Sequence, residues 1–412
     1  MKRVVITGMG AITPIGNSGK ELWEGIKEGK CGIDTITHFD CSNRKVSLAA
    51  EVKNYKPEVF LDKREARKMD RFTQFAVIAA REAFQDSGLK MEEENANEMG
   101  VIISSGIGGL KTIEEEDKKG AEKGYDRVSP FFIPMAISNM AAGSVAIDLG
   151  LKGMCTSVVT ACASGTNAIG DGFRHIKHGY AKVMLCGGSE ASITPLGMGG
   201  FTSLQALNTT QDKNRASIPF DKERSGFVMG EGAGVLVLEE YEHAINRGAK
   251  IYAEVVGYGA NCDAHHMTAP LEDGSGAAYC MKKALEEAKV TPDQITYINA
   301  HGTSTPLNDK GETRAIKTVF EEHAYQLAVS STKSMTGHLL GASGAVEGII
   351  TALSIYNDFI PATINYRERD EECDLDIVPN EGRKKEVLYG MSNSLGFGGH
   401  NASILLKKYQ GK

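Results

Sequence analysis

The sequence lacks several features that define specialised classes of protein. Its eight cysteines are scattered over 412 residues and no two form a C-x-x-C pair, which argues against a zinc site of the usual spacing. Their low density is also unsuited to a disulfide scaffold. The chain has no apolar run of about 18 residues, and its first residues contain no signal-peptide stretch. We therefore expect a reduced, soluble, cytoplasmic protein that does not associate with membranes.

Basic charge is scarce as well. The chain carries 46 Lys and Arg against 53 Asp and Glu, a net charge of −7. A nucleic-acid binder typically has a basic surplus or a basic block, so nucleic acid is not an expected partner. One local basic patch comprises Lys63, Arg64, Arg67, Lys68 and Arg71. Its i, i+4 and i+7 spacing predicts a single helical face carrying Arg64, Lys68 and Arg71. A solvated helix with ion pairs to its acidic neighbours is the alternative.

Short β-branched runs alternate with small-residue helical segments along the whole chain. This alternation predicts an α/β layered fold. The predicted strands are Val4–Ile6, Val101–Ile103, Val158–Thr160, Val183–Cys186, Val235–Leu238, Ile251–Val256, Ile295–Ile298, Leu327–Val329, Glu386–Tyr389 and Ala402–Leu406. The predicted helices are Arg71–Ser87, Gly165–His178, Gly276–Ala288 and Ser343–Tyr356.

The two parts of the chain resemble each other in four places that occur in the same order. The paired segments are Val5–Gly10 with Val255–Gly259, Gly100–Ile103 with Tyr297–Ala300, Cys162–Gly165 with Lys333–His338, and Val183–Gly188 with Val387–Met391. We interpret them as two fused copies of one α/β unit, residues 1–250 and 251–412. Coincidence among small-residue turns is the alternative.

Three side chains lie in equivalent connections between a strand and a helix. Cys162 opens a helix of small residues, where the helix dipole favours a thiolate. His301 and His338 lie in similar connections, and in a duplicated α/β fold such connections converge at one end of the sheets. A helix N-terminus also keeps an imidazole neutral, ready to donate a hydrogen bond to an oxyanion. Taken alone, Cys162 is more often a buried inert cysteine.

Four segments together resemble the β-ketoacyl-[acyl-carrier-protein] synthases, and within that family the branch called synthase II. They are Thr160–Gly165, His301–Pro306, Lys333–Gly344 and Ser392–Asn401. The likeness runs over essentially the whole chain. It implies a thiolase-like fold with two duplicated halves stacked as αβαβα layers, usually in a homodimer. It also implies a decarboxylating condensation in fatty-acid elongation, with acyl carrier protein as the partner that delivers acyl and malonyl groups.

The resemblance assigns roles to individual residues. It implies that Cys162 carries the acyl group, that its N–H and that of Phe397 form an oxyanion hole, and that His301 and His338 stabilise the enolate. Lys333 would orient His338 and a carboxylate such as Glu347. The implied acyl-tunnel and pantetheine contacts are Ile107, Phe132, Phe201, Thr303 and Thr305. No cofactor is required, although some relatives bind a structural monovalent or divalent cation near the equivalents of Asn299, Glu347, Ser392 and Asn393. The basic patch would dock the carrier protein.

Other functions share some of these features. A cysteine hydrolase built from Cys162, His301 and Asn393 would cleave peptides without decarboxylating a malonyl group. A degradative thiolase needs a second cysteine as base, and Cys373 has no glycine-rich setting. A catalytically silent partner subunit typically lacks the cysteine. A polyketide-type ketosynthase is the nearest alternative.

Overall fold

The computed structural model describes residues 1–411 and consists of strands and helices in alternation. The strands are β1 (Val4–Ile12), β2 (Asp34–Thr35), β3 (Leu48–Ala49), β4 (Met99–Ser104), β5 (Cys155–Thr156), β6 (Val183–Glu190), β7 (Gly232–Glu240), β8 (Ala253–Cys262), β9 (Tyr297–Asn299), β10 (Ala328–Ser330), β11 (Phe359–Ile360), β12 (Arg383–Lys384), β13 (Tyr389–Gly396) and β14 (His400–Lys407).

Helices connect these strands. They are α1 (Gly19–Glu28), α2 (Pro57–Phe60), α3 (Lys63–Ala66), α4 (Arg71–Ser87), α5 (Leu110–Lys123), α6 (Phe132–Ala136), α7 (Met140–Leu149), α8 (Ser164–Lys177), α9 (Pro195–Ser203), α10 (Tyr241–Asn246), α11 (Ser275–Ala288), α12 (Pro306–Phe320), α13 (Lys333–Thr336) and α14 (Ser343–Asn357). Short 3₁₀ turns include Ala161–Ala163 and Leu340–Ala342.

One mixed sheet organises the chain, with the strand order β10-β9-β13-β14-β8-β1-β7-β6-β4-β5. From its middle outwards, the series β1-β7-β6-β4-β5 has the same pattern as β8-β14-β13-β9-β10. In each series the first two pairings are antiparallel and the last two are parallel. Antiparallel pairing of β1 with β8 joins the two series. The repetition expected from the sequence is therefore visible in the topology, while a domain boundary at residue 250 stays a prediction.

The elements stack in five layers: an outer layer of helices, the first series of strands, a central layer of helices, the second series of strands and another outer layer of helices. Helices α8 and α14 lie in the middle, because α8 packs on β6 and β7 of one series and on β8 and β14 of the other. Helices α4 and α7 cover the outer face of the first series, and α11 and α12 cover that of the second. Alternation along β6 supports this order: Met184 and Cys186 belong to the central core, whereas Val183 and Leu185 belong to an outer core. The predicted α/β layered fold is confirmed.

Two sequence-based predictions of local structure are wrong. Val158–Thr160 is not a strand, because side-chain hydroxyls take its backbone N–H groups: Val158 donates to Ser104 Oγ at 3.2 Å and Thr160 to Ser164 Oγ at 2.9 Å. The predicted strand Glu386–Tyr389 overlaps β13 only at its last residue, and β13 continues to Gly396.

The basic patch does not lie on one helix. Helix α3 ends at Ala66 and α4 begins at Arg71, so the predicted continuous face is wrong. Asp62 caps the first helix by accepting from the N–H groups of Arg64 and Glu65, and Asp70 caps the second. Two caps within nine positions start two separate helices, which the spacing of the cations did not reveal.

Within residues 1–411, no helix combines the length and the apolar character needed to cross a bilayer.

Candidate active site

Cys162 lies in the 3₁₀ turn that leads into α8 and is only 9% exposed. The backbone N–H of Phe397 lies close enough to its sulfur to lower the pKa of the thiol, against the larger effect of burial. Gly396 makes this approach possible: a Cβ there would lie 2.7 Å from Thr160 O and 3.1 Å from Cys162 N. The glycine-rich end of β13 therefore rests directly on the backbone of the nucleophile turn.

The protonation state of Cys162 follows from opposing effects. Burial raises the pKa of the thiol to about 12, and the opposing effects of Lys333 and the Phe397 N–H do not compensate for it. Burial therefore opposes the helix start that favours the thiolate, and it has the larger effect on the pKa. A helix start favours the anion locally, but the loss of water around the sulfur dominates.

This result predicts a steep pH dependence for alkylation of Cys162. Because the thiolate is the reactive form, the labelling rate should rise about tenfold per pH unit between about pH 7 and about pH 10. The rate is measured with iodoacetamide by peptide mass spectrometry, and a Cys162→Ser variant gives the background from the exposed Cys155 and Cys262. A rate that is already constant at neutral pH would show that the thiolate is stabilised after all.

His301 and His338 face each other beside Cys162. Their ring centroids are 5.3 Å apart and their planes are nearly perpendicular, at 85°. Burial, helped by the nearby Lys333 cation, holds the pKa of both imidazoles well below the usual value. Both rings are therefore neutral at physiological pH. Nδ1 of His338 pairs with Ser343 Oγ at 2.9 Å, so a Ser343 hydroxyl that donates leaves the proton on Nε2.

Lys333 is a buried cation whose partner is equally buried. Its ammonium group pairs with Glu347, and the two side chains are 1% and 3% exposed. Burial raises the pKa of the Glu347 carboxyl to about 7 against the lowering effect of Lys333. The Ser217 hydroxyl donates to Lys333 O at 2.8 Å. Lys333 thus contacts the carboxylate that the resemblance named, and its charge also lies close enough to lower the pKa of both imidazoles.

A cavity of about 410 Å³ joins these groups. Its lining includes Cys162, Phe201, His301, Thr303, Thr305, His338 and Phe397. The hydroxyls of Thr303 and Thr305 are hydrogen-bonded to each other at 2.8 Å, and the Phe201 and Phe397 rings lie 6.2 Å apart. The structure thus brings together seven side chains that the sequence selected. Asn393 does not line this cavity, so the hydrolase constellation is not assembled.

Ile107 and Phe132 lie elsewhere. Neither lines the cavity, Ile107 is 37% exposed, and Phe132 is half-buried at the start of α6. Their place on an acyl tunnel stays a prediction. The Ile107 backbone is nevertheless close to the site, because its N–H donates to Glu190 Oε1 at 3.3 Å.

The residues selected for a cation lie on β9, on β13 and on α14, which packs against β13. Asn299 and Ser392 are register partners on the adjacent strands β9 and β13. Asn299 Oδ1, Ser392 Oγ and Glu347 Oε2 are buried oxygens without hydrogen-bond partners. Hard cations prefer such oxygens, so these three residues fit a cation. The Asn393 side chain does not, because it accepts from Ser403 Oγ at 2.8 Å and donates to Glu312.

The basic patch is smaller than the sequence suggested. Lys63, Arg64, Arg67 and Lys68 are exposed, but Arg71 donates to both carboxylate oxygens of Glu231 at 2.8 and 2.7 Å. Its guanidinium also lies over the rings of Tyr55 and Phe75. Arg71 therefore stabilises the fold. Of the four exposed cations that remain, Lys68 is ion-paired with Glu65 at 2.9 Å.

Two buried acids near the site were missed by the sequence reasoning. Glu312 accepts from the backbone N–H groups of His301 and Gly302, both at 2.8 Å, and so holds the end of β9. Glu190 ends the apolar strand β6. The signal available in the sequence was an acidic residue on the apolar side of a helix or at the end of an apolar strand. A charge is uncommon at such a position unless it is paired.

Comparisons with known proteins agree with this geometry. A 3-oxoacyl-[acyl-carrier-protein] synthase 2 of Synechocystis sp. is 55% identical over 410 residues, 99% of both chains, and one of Staphylococcus aureus is 53% identical over 409 residues, 99% of both chains. A solved β-ketoacyl synthase from Burkholderia phymatum has a TM-score of 0.92 at 36% identity over 100% of both chains.

Another solved structure, of a type II polyketide ketosynthase with its acyl carrier protein, has a TM-score of 0.92 at 36% identity and covers 99% of this chain and 100% of that one. These similarities confirm the predicted thiolase-like fold. The model of the β-ketoacyl synthase N-terminal domain matches residues 1–244, and that of the C-terminal domain matches residues 252–367. The chain belongs to the β-ketoacyl synthase family.

Proposed function

We propose that this chain catalyses the decarboxylating condensation of malonyl-[acyl-carrier-protein] with an enzyme-bound acyl group in fatty-acid elongation. The observation that carries the proposal is one cavity in which a buried cysteine meets two neutral imidazoles and the N–H of Phe397. A thiol forms a thioester, and neutral imidazole N–H groups stabilise an enolate oxygen. The proposed setting is the cytoplasm.

The first step transfers the acyl group. Cys162 Sγ attacks the acyl thioester carbonyl, the bond to the carrier's sulfur breaks, and the carrier thiol leaves with the proton that Cys162 gives up. The N–H groups of Cys162 and Phe397 stabilise the oxyanion of the tetrahedral intermediate. Because burial raises the pKa of Cys162 to about 12, deprotonation must accompany the attack, and the neutral imidazoles in the same cavity provide the proton acceptor.

The second step forms the carbon–carbon bond. The malonyl carboxylate leaves as carbon dioxide, and its electron pair becomes an enolate whose oxygen accepts hydrogen bonds from His301 and His338. The enolate carbon attacks the Cys162 thioester, and the sulfur leaves as a thiolate that regains a proton. The product is a 3-oxoacyl thioester two carbons longer. Since decarboxylation itself generates the carbanion, no strong base is required.

The direct test is product analysis. The enzyme is incubated with acyl and malonyl carrier protein, and the products are read by mass spectrometry. A single 3-oxoacyl-carrier product two carbons longer supports the proposal, whereas chains extended by repeated unreduced units support a polyketide ketosynthase. The solved type II polyketide ketosynthase, at 36% identity, makes that the second candidate. Free acid without a new carbon–carbon bond would contradict both.

Chain length provides a separate prediction. Ile107 is proposed to border the acyl tunnel, where its β-branched side chain rotates to admit a long chain. Ile107→Phe should therefore keep activity with a six-carbon primer and lose at least about tenfold with a fourteen-carbon primer, through steric exclusion of a few methylenes. Ile113→Phe is the matched control, because Ile113 is equally exposed at 37%. Equal loss for both primers would place residue 107 outside the tunnel.

The exposed basic patch is proposed to dock the acidic carrier protein. Reversing charge at Arg67 and Lys68 should raise KM for carrier-bound substrate about tenfold at low salt, and the effect should fall as salt screens the attraction. Turnover of a small thioester mimic should remain unchanged because the cavity is untouched. Reversal at the exposed Lys384 and Lys385 is the control. Equal damage with the mimic would mean that the patch serves only the fold.

A homodimer is proposed from the free edge of the sheet. Strand β5 is the last strand on its side, and within the described residues no further strand covers it. The neighbouring Met154 and Val159 are 38% and 52% exposed. A second copy that pairs along β5 would cover these groups.

A structural cation is proposed at Asn299, Glu347 and Ser392. The Glu347 charge is already matched by Lys333, so the site favours a monovalent ion. A cation there would satisfy oxygens that burial leaves without partners and would hold the ends of β9 and β13 together. No step of the reaction passes through it.

A further inference from the structure

Glu190, at the end of β6, carries a fully buried carboxylate that the reaction steps above do not use. Its Oε1 accepts from Ser105 Oγ at 3.0 Å, from Ser192 Oγ at 3.1 Å and from Ile107 N at 3.3 Å. Its Oε2 accepts from Gly106 N at 2.8 Å and from Gly341 N at 3.1 Å. Five donors thus converge on one side chain.

This carboxylate has no cationic partner among the residues that the structure describes. A buried charge without a counter-ion is costly and persists only where several donors compensate. Burial raises the pKa of Glu190, and the N–H groups of Gly106 and Gly341 oppose the rise. An apolar residue at this strand end would avoid the cost of burying a charge. The role of Glu190 therefore lies in the donors that its carboxylate holds in place.

Four of the five donors belong to two separate loops, and the fifth, Ser192, follows Glu190 in its own segment. One is the 105–108 segment, which carries Ile107. The other is the connection that carries His338, whose Gly341 follows three positions later and whose Leu340 lines the cavity. The loops touch through backbone: a Cβ on Gly341 would lie 2.3 Å from Gly106 N, and a Cβ on Gly106 would lie 2.9 Å from Glu190 Oε2. Glu190 therefore joins the Ile107 loop to the His338 loop.

We propose that Glu190 is a positioning residue that fixes the Ile107 loop against the His338 loop and thereby sets chain-length selectivity. This inference rests on the proposed function and assigns it a determinant outside the cavity. When Glu190 accepts the hydrogen bond from the Ile107 N–H, the backbone at Ile107 is fixed. Only the Ile107 side chain can then move to admit a long acyl chain. Without that bond the whole segment can shift, so selection by length weakens.

The hydrogen-bond pattern makes glutamine an informative substitution. An NH₂ group at the Oε2 position would face two backbone donors, Gly106 and Gly341, with no acceptor. At the Oε1 position it would face two hydroxyls, which can turn to accept, and only the Ile107 N–H would lose its bond. Glu190→Gln should therefore release the Ile107 backbone selectively and leave the Gly341 anchor in place.

The test compares kcat/KM for six- and fourteen-carbon acyl carrier substrates. In Glu190→Gln the ratio of the two values should change by about fivefold or more. A change of this size corresponds to the loss of about one hydrogen bond, the one from the Ile107 N–H. Decarboxylation of malonyl carrier protein, which depends on His301 and His338, should stay within about twofold. The matched control is Glu239→Gln, since Glu239 is also a fully buried strand carboxylate but bonds to Thr7, His243 and Arg247.

Three results would overturn the proposal: an unchanged ratio in Glu190→Gln, an equal change in Glu239→Gln, or loss of decarboxylation together with both primers. If Glu190→Gln does not fold, Ser105→Ala replaces it, because this variant removes one Oε1 bond and the Ser105 bond to Gly108 N at 2.9 Å while keeping the carboxylate. An unchanged ratio there would equally reject the proposal. Failure of the proposed function is distinguishable, since the unsubstituted enzyme would then form no 3-oxoacyl product.

Discussion

Cys162→Ser is expected to reduce condensation at least about a thousandfold, the largest effect of any substitution considered, because the essential nucleophile is lost. A serine hydroxyl is a much weaker nucleophile than a thiol. The neutral imidazoles are poor bases for activating it, because burial holds their pKa well below the usual value. The intact mass of the enzyme after incubation with acyl carrier protein should increase by one acyl group for the unsubstituted chain and remain unchanged for the variant.

Two further measurements separate this result from a folding defect. Decarboxylation of malonyl carrier protein by Cys162→Ser should persist, since His301, His338 and Lys333 are unchanged. Cys31→Ser serves as the control, because Cys31 is half-buried and does not line the cavity. An acyl adduct on Cys162→Ser, located by peptide mapping at another cysteine, would show that a different residue carries the chain.

Lys333→Met is expected to have the second largest effect. Removing the cation leaves Glu347 buried without a partner, which costs about 3–5 kcal/mol of stability. The change also removes the charge that lowers the pKa of both imidazoles. The pKa of His301 and His338 should therefore rise, protonation should compete at higher pH, and condensation should fall at least about tenfold at neutral pH.

A double variant distinguishes the stability effect from the catalytic one. In Lys333→Met/Glu347→Gln both charges are gone, so denaturant unfolding should show that much of the lost stability returns. Activity should remain low, and the acid limb of the pH–rate profile should still lie at higher pH than in the unsubstituted enzyme. Recovery of activity together with stability would mean that Lys333 only supports the fold.

The sequence predicted regular elements well where local signals and tertiary contacts agree. Helix α4 has the predicted bounds, Arg71–Ser87, because an apolar stripe lies between the Asp70 cap and Gly88. The same reasoning failed at Val158–Thr160, where β-branched residues favour a strand but hydroxyls bind the backbone N–H groups. It also failed at the basic patch, since the cap formed by Asp70 interrupts a regular spacing of cations.

The site was predicted in its residues but not in its energetics. The order of four motifs was enough to select Cys162, His301 and His338, and the structure brings them to one cavity. Charge states depend on the solvent that each group loses, which a sequence does not display. The thiol pKa of about 12 is the clearest case. Glu190 escaped notice for a related reason, because its donors are mostly backbone groups of distant segments.

The position of β1 in the middle of the sheet has a consequence for synthesis of the chain. Its nine residues are all buried, and its neighbours β7 and β8 begin only at Gly232 and Ala253. On the ribosome, β1 therefore emerges with an apolar edge that must wait for about 220 more residues, roughly 10–45 s at about 5–20 residues per second. During that interval the nascent chain exposes an unpaired strand prone to aggregation. We expect the protein to depend on chaperones that bind nascent chains, and to refold slowly from denaturant because its central pairings join distant parts of the sequence.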